Sequence, residues 1–171
     1  NFGMAVKNFQ FVLDEACGEY FMFASHDDLW STTFLERLTE LLNADADCSL
    51  AFTDYKIKNL QGEGEIPICV SSSTSKSPLV RYLSRITDMQ PVLIFGLFRR
   101  SLASSQDLRY FDFFEVHFGV LMAFRGKIRI VNEYLFCWGI DRTRKSHSIH
   151  DAHRASSHPR GEPVGNRRTT G

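Results

Sequence analysis

Two adjacent carboxylates, Asp27 and Asp28, close the apolar segment Tyr20 to Ala24, and a helical run (Thr33 to Ala44) starts a few residues later. That order places acidic groups at the carboxyl end of a buried strand, where open α/β sheets bind their ligands. Side-by-side acids there are costly unless a cation or a hydroxyl-rich ligand shares the site. The same residues also suit a plain strand-to-helix turn in which Asp28 or Ser31 caps the helix.

A second set of acids lies at Asp112 and Glu115, around the start of an amphipathic run from Phe114 to Phe124 that Gly126 stops. Acids at that point either favour the helix N-terminus or serve as a proton acceptor. Tyr20 and Trp30 suit stacking on a sugar or packing in the core. Arg99 and Arg100 suit an anion or a solvated strand end.

The elements that must hold these groups follow from periodicity. Ala5 to Ala16 is helical, and Gly18 is placed to end it. Tyr20 to Ala24 reads as a short buried strand. Thr33 to Ala44 is amphipathic, with Leu35, Leu38, Leu41 and Leu42 on the apolar side. Ser49 to Tyr55 is the next strand, Gln61 to Pro78 a loop, and Pro78 to Ile86 a short helix. Pro91 to Phe98 is strand-like, and Lys127 to Val131 and Glu133 to Trp138 are two further strands. Helix–strand alternation with few hairpin signals predicts a largely parallel sheet.

The whole chain sets bounds. Its 171 residues, 43% hydrophobic and 23% charged, suit one soluble domain, and the 15 Phe predict aromatic packing. A formal net charge of zero gives no global pull toward nucleic acid. Charge breaks every apolar stretch too early for a membrane span, and no leader is visible. Cys17, Cys48, Cys69 and Cys137 are scattered without a CxxC pair, which fits reduced thiols in a cytosolic protein.

Residues 1–140 read as a domain and 141–171 as a basic tail. From Arg142 the chain has seven Lys or Arg, two acids, four His and no aromatic residue, too little apolar surface to bury a core. That tail also gives a thin electrostatic case for tethering to nucleic acid or an anionic surface. The chain opens at Asn1, without Met, almost inside a helix, which predicts a piece of a longer protein.

The ordered set Asn8, Gly18-Glu19-Tyr20, the acidic turn before Leu29-Trp30, Phe34-Leu35, Ser49 to Asp54, Gly96 to Arg100 and Glu115 to Gly126 resembles family 2 glycosyltransferases, over about residues 1 to 147. The resemblance implies an α/β, Rossmann-like GT-A fold: a mixed, mostly parallel sheet with flanking helices, lacking its first strand and the helix after it. It implies transfer of a sugar from a nucleotide diphosphate sugar to a saccharide or lipid-linked acceptor hydroxyl, with inversion, in cell-surface polysaccharide synthesis. Mg²⁺ or Mn²⁺ is the implied cofactor. The implied place is the cytoplasm, peripherally at the inner face of the membrane, and this chain alone is expected to be inactive.

Carried over by position, Asp27 is the metal ligand, joined by His147. Ser25 stands where the family's D-x-D motif has its first Asp, a departure that weakens the metal site. His26, in the middle, suits a local hydrogen bond. Ser25, Asp28, Trp30, Asn8 and Arg99 fall to donor and acceptor binding, and Glu115, or Asp112 if the register differs, to the catalytic base. The competing reading is a binding or scaffold domain that kept the fold and lost the chemistry, which the substitution at Ser25 favours.

Overall fold

The computed structural model describes residues 5–59, 64–109 and 113–140. Helix α1 (Ala5–Glu15) buries Val6 and Leu13. A two-residue strand β1 (Tyr20–Phe21) follows, and only those two residues of the expected strand pair with a neighbour. A second short strand, β2 (Leu29–Trp30), leads into α2 (Phe34–Ala44). The buried stripe of α2 is Phe34, Leu38 and Leu42, four residues apart, so that Leu35 faces solvent.

The centre of the sheet is β3 (Cys48–Asn59), which lies parallel to the long strand β6 (Lys127–Ile140). On its other side β3 pairs with β5 (Leu97–Arg99) near its start and with β4 (Glu65–Ile68) near its end. The order is β1-β5-β3-β6-β2, with β4 beside β3.

Only the β3–β6 pairing is parallel among the described residues; the other four are antiparallel. The sheet is mixed as expected, but most of its strand pairings are antiparallel instead of parallel. Helix–strand alternation reports element type but not direction, and apart from β3 and β4, strands consecutive in sequence are not neighbours here.

Two other expectations change. Pro91–Phe95 coils as a 3-10 turn before β5, since Pro91 opens it without a donor and Gly96 closes it. The two strands expected from Lys127 to Trp138 are one strand with a bulge: Val131 stands opposite Thr53 and Tyr134 opposite Asp54. The buried Thr53 hydroxyl fills that bulge, donating to the Glu133 carbonyl and accepting from Leu135 N at 3.3 Å. Where β6 begins, a Cβ on Gly126 would come within 2.7 Å of the Asp47 carbonyl, so only glycine lets the strand start there.

Two further helices cover one another. Helix α3 (Pro78–Thr87) packs on α4 (Phe114–Arg125). The core itself is aromatic, centred on Phe23, whose ring lies 4.5 Å from Phe9, 4.7 Å from Phe21, 6.0 Å from Phe98 and 6.5 Å from Phe118. The tail at 141–171 lies outside the described residues.

Candidate functional site

The acidic turn is built by a strand that stops early. After β1 the chain runs on through the buried Phe23, turns at His26 and Asp27, and enters β2. Side chains then alternate: Asp28 and Trp30 point inward and Leu29 outward. Asp28 is 5% exposed, and its Oδ1 accepts from Gly139 N at 3.0 Å. Its Oδ2 is buried with no hydrogen-bond partner.

Burial pushes the Asp28 carboxyl up to about 6. The Gly139 N–H pulls it down, the Asp27 charge adds to the rise and His26 opposes it. Asp27 is half-buried, and the Ser25 hydroxyl donates to its Oδ1. The departure at Ser25 thus has a structural use, since a hydroxyl there orients Asp27 without adding a third negative charge.

Glu115 sits in the first turn of α4, half-buried, and burial raises its carboxyl above the usual range. The preceding Phe113 is left-handed at φ 73°, a strained arrangement for a bulky residue that turns the chain into the helix. The start of α4 is tied to the same aromatic cluster as the acidic turn. Phe114 packs on Phe9 at 5.4 Å, and Phe118, one turn on, packs on Phe23, four residues before Asp27. Asp112 and His147 lie outside the described residues. Among the described residues no group of three or more His, Cys, Asp or Glu gathers to hold a metal.

The other expected residues fall as follows. Asn8 is half-buried on α1, beside Phe9 of the aromatic cluster. The half-buried Trp30 packs on Phe136 at 5.8 Å, and its buried Nε1 has no partner. Tyr20 donates to Asn43 Oδ1 at 2.7 Å and lies under the Arg99 guanidinium, which is 5.4 Å from its ring centre.

Arg99, expected at donor or acceptor binding, makes contacts within the fold. Its guanidinium donates to the Leu42 carbonyl (2.6 Å), the Cys48 carbonyl (2.9 Å) and the Asp45 carbonyl (3.4 Å). Those contacts tie the C-terminal end of α2 to the start of β3. Gly139 is the partner that sequence reasoning missed. A backbone N–H 111 positions beyond Asp28 leaves no residue-type signal, and only the pairing of β2 with β6 brings it there.

No family model matches the chain, and no curated protein sequence does. Among solved structures, S. aureus TarS 1-349 superposes with a TM-score of 0.52 at 15% identity, over 81% of this chain and 41% of that one. A second structure of S. aureus TarS gives a TM-score of 0.46 at 15% identity, over 78% and 24%. The chain thus spans about two fifths of TarS 1-349. That likeness is one of fold. No helix among the described residues is long and apolar enough to cross a membrane.

Proposed function

We propose that this chain forms the metal and acceptor side of a nucleotide-sugar-dependent glycosyltransferase of the GT-A, family 2 kind. The observation that carries the reading is the pair Asp27 and Asp28, with one buried oxygen of Asp28 unpartnered and its carboxyl raised to about 6. A fold that holds two acids side by side at such a cost has a use for positive charge or hydroxyl donors there.

The residues present fit a hard divalent cation. Mg²⁺ and Mn²⁺ accept one or two carboxylates and take their remaining oxygens from substrate phosphates. Asp27, oriented by Ser25, would be the ligand, and Asp28 would lie behind it, contacting the sugar or acceptor. When bound, the cation neutralises charge building on the departing diphosphate.

The rest is done by the protein. Glu115, raised toward neutrality by burial, takes the proton from the acceptor hydroxyl. The hydroxyl oxygen bonds to the anomeric carbon as the bond from that carbon to the diphosphate breaks. The proton ends on Glu115, and the anomeric configuration inverts. A saccharide or lipid-linked acceptor, a role in cell-surface polysaccharide synthesis and a place at the cytoplasmic membrane face belong to the same reading.

The test is sugar transfer or nucleotide-sugar hydrolysis with and without Mn²⁺. Metal-dependent turnover lost in Glu115→Gln, with nucleotide binding kept, supports the reading. Turnover unchanged in that variant removes Glu115 from it. The second reading, a binding domain without chemistry, draws on Ser25 in place of a carboxylate, and it predicts ligand binding with no turnover in either protein.

A further inference from the structure

Both tryptophans of the chain, Trp30 and Trp138, stand on one face of the sheet. Trp30 of β2 is opposite Phe136 of β6, and Trp138 is two residues beyond Phe136, so the three share a face. Carried two residues back along β2, the same register sets Asp28 opposite Trp138. On the other side of β6, Trp138 is opposite Ile57 of β3, and Ile57 is opposite Ile66 of β4. A row of side chains, Asp28, Trp138, Ile57 and Ile66, therefore crosses the carboxyl ends of the parallel pair β3 and β6, where α/β sheets take their ligands.

The core ends one row earlier. Phe136 and Tyr55 are buried there, with Phe34 and Phe95 packed on the Phe136 ring at 6.3 and 6.0 Å. In the row beyond, Trp138 and Ile57 are half-buried and Ile66 is 57% exposed. Among the described residues, the buried side-chain atoms without a hydrogen-bond partner belong to arginines, with two exceptions. Those are Asp28 Oδ2, an acceptor, and Trp30 Nε1, a donor, two residues apart on this face.

We infer that this row seats a pyranose ring of the saccharide substrate, with Trp138 stacking on the ring. The inference rests on the reading above, in which Asp28 meets the sugar or acceptor. The chemistry of the row selects that occupant. A pyranose carries C–H groups on its faces and hydroxyls at its edge, so it covers an indole and an isoleucine floor while offering polar groups sideways. A hydroxyl both accepts from an indole N–H and donates to a carboxylate, which neither a hydrocarbon nor a phosphate dianion does. A phosphate is further opposed by the charges of Asp27 and Asp28. A turn of the Asp28 carboxylate about its soft terminal torsion presents Oδ2 to the edge of the ring.

The experiment is tryptophan fluorescence of the 171-residue chain without nucleotide or metal, which keeps it separate from any test of the diphosphate site. With Trp30 and Trp138 the only tryptophans, all of their emission reports this face. Glucose, galactose and N-acetylglucosamine are titrated to about 200 mM, with sorbitol as a ring-free polyol. At least one of these pyranoses is expected to shift the emission saturably and to reduce acrylamide quenching about twofold, and sorbitol to do neither. Trp138→Phe, which keeps an aromatic ring, is expected to retain affinity within about threefold. Trp138→Leu, checked for folding by circular dichroism and read from Trp30, is expected to weaken binding about tenfold or more. Leu35→Ala, exposed on α2, is expected to leave it unchanged. No response to any pyranose overturns the inference and leaves the nucleotide-binding reading standing. An equal response to sorbitol, or undiminished binding in Trp138→Leu, overturns it as well.

Discussion

Replacing Asp28 by Asn should stabilise the isolated protein at neutral pH, although the residue is buried and hydrogen-bonded. In the unfolded chain the carboxyl ionises at its ordinary value of 3.8, whereas the folded protein holds the proton up to about pH 6. Between those values the folded state binds more protons, so the contribution of Asp28 to stability is complete below about pH 3.8 and is lost as pH rises through about 6. At about 1.4 kcal/mol per pH unit, the ionised side chain costs the fold at most about 3 kcal/mol at pH 7. In Asp28→Asn the amide oxygen still accepts from Gly139 N. Its NH₂ group occupies the place of the unpartnered Oδ2 and costs about 1–2 kcal/mol for want of an acceptor. The net expectation is a gain of about 1–2 kcal/mol at pH 7 and little difference near pH 4, where the acid carries no charge and its own proton on Oδ2 likewise lacks an acceptor. Urea unfolding at pH 4, 5, 6 and 7 measures both values. A variant less stable than wild type at every pH, with the difference constant across the range, refutes the reasoning, because it would mean that Asp28 stays ionised and well solvated.

The other predictions concern single contacts. Arg81→Met should destabilise the protein by about 3–5 kcal/mol in urea unfolding, since it strips the end of α4 of two carbonyl partners in a buried place. Gly126→Ala should cost about 1–3 kcal/mol by the same measurement, because the added Cβ meets the Asp47 carbonyl and the Ser49 Cβ at 2.7 Å. If Glu115 is the base, kcat should fall as pH drops through a value above the usual carboxylate range, and Glu115→Gln should remove that limb while leaving nucleotide affinity within about twofold.

Much of the local structure was legible in the sequence. Helices α1, α2, α3 and α4 lie within a residue or two of their expected bounds, because apolar spacing and punctuation by Gly18, Pro78 and Gly126 act locally. Direction and pairing were not legible. Nothing in Leu97-Phe98-Arg99 tells that it runs against β3, and nothing in Leu29-Trp30 tells that it pairs with Phe136 and Cys137. The acidic turn was found from its residue types, but the properties of Asp28 come from burial beneath β6, a contact between distant segments. Arg99 and Arg81 were hidden for a related reason. An arginine that closes a helix end looks the same in sequence as one that faces solvent, and only the carbonyls around it distinguish the two.

The most direct test of the account is isothermal titration of UDP and of dTDP, with and without Mn²⁺, into the protein together with any sequence its gene encodes ahead of Asn1, comparing wild type with Asp27→Ala. The account predicts nucleotide binding that requires Mn²⁺ and disappears in Asp27→Ala. Binding that persists unchanged in the variant, or no binding to folded wild type, would contradict the assignment of the Asp27–Asp28 turn as the diphosphate site.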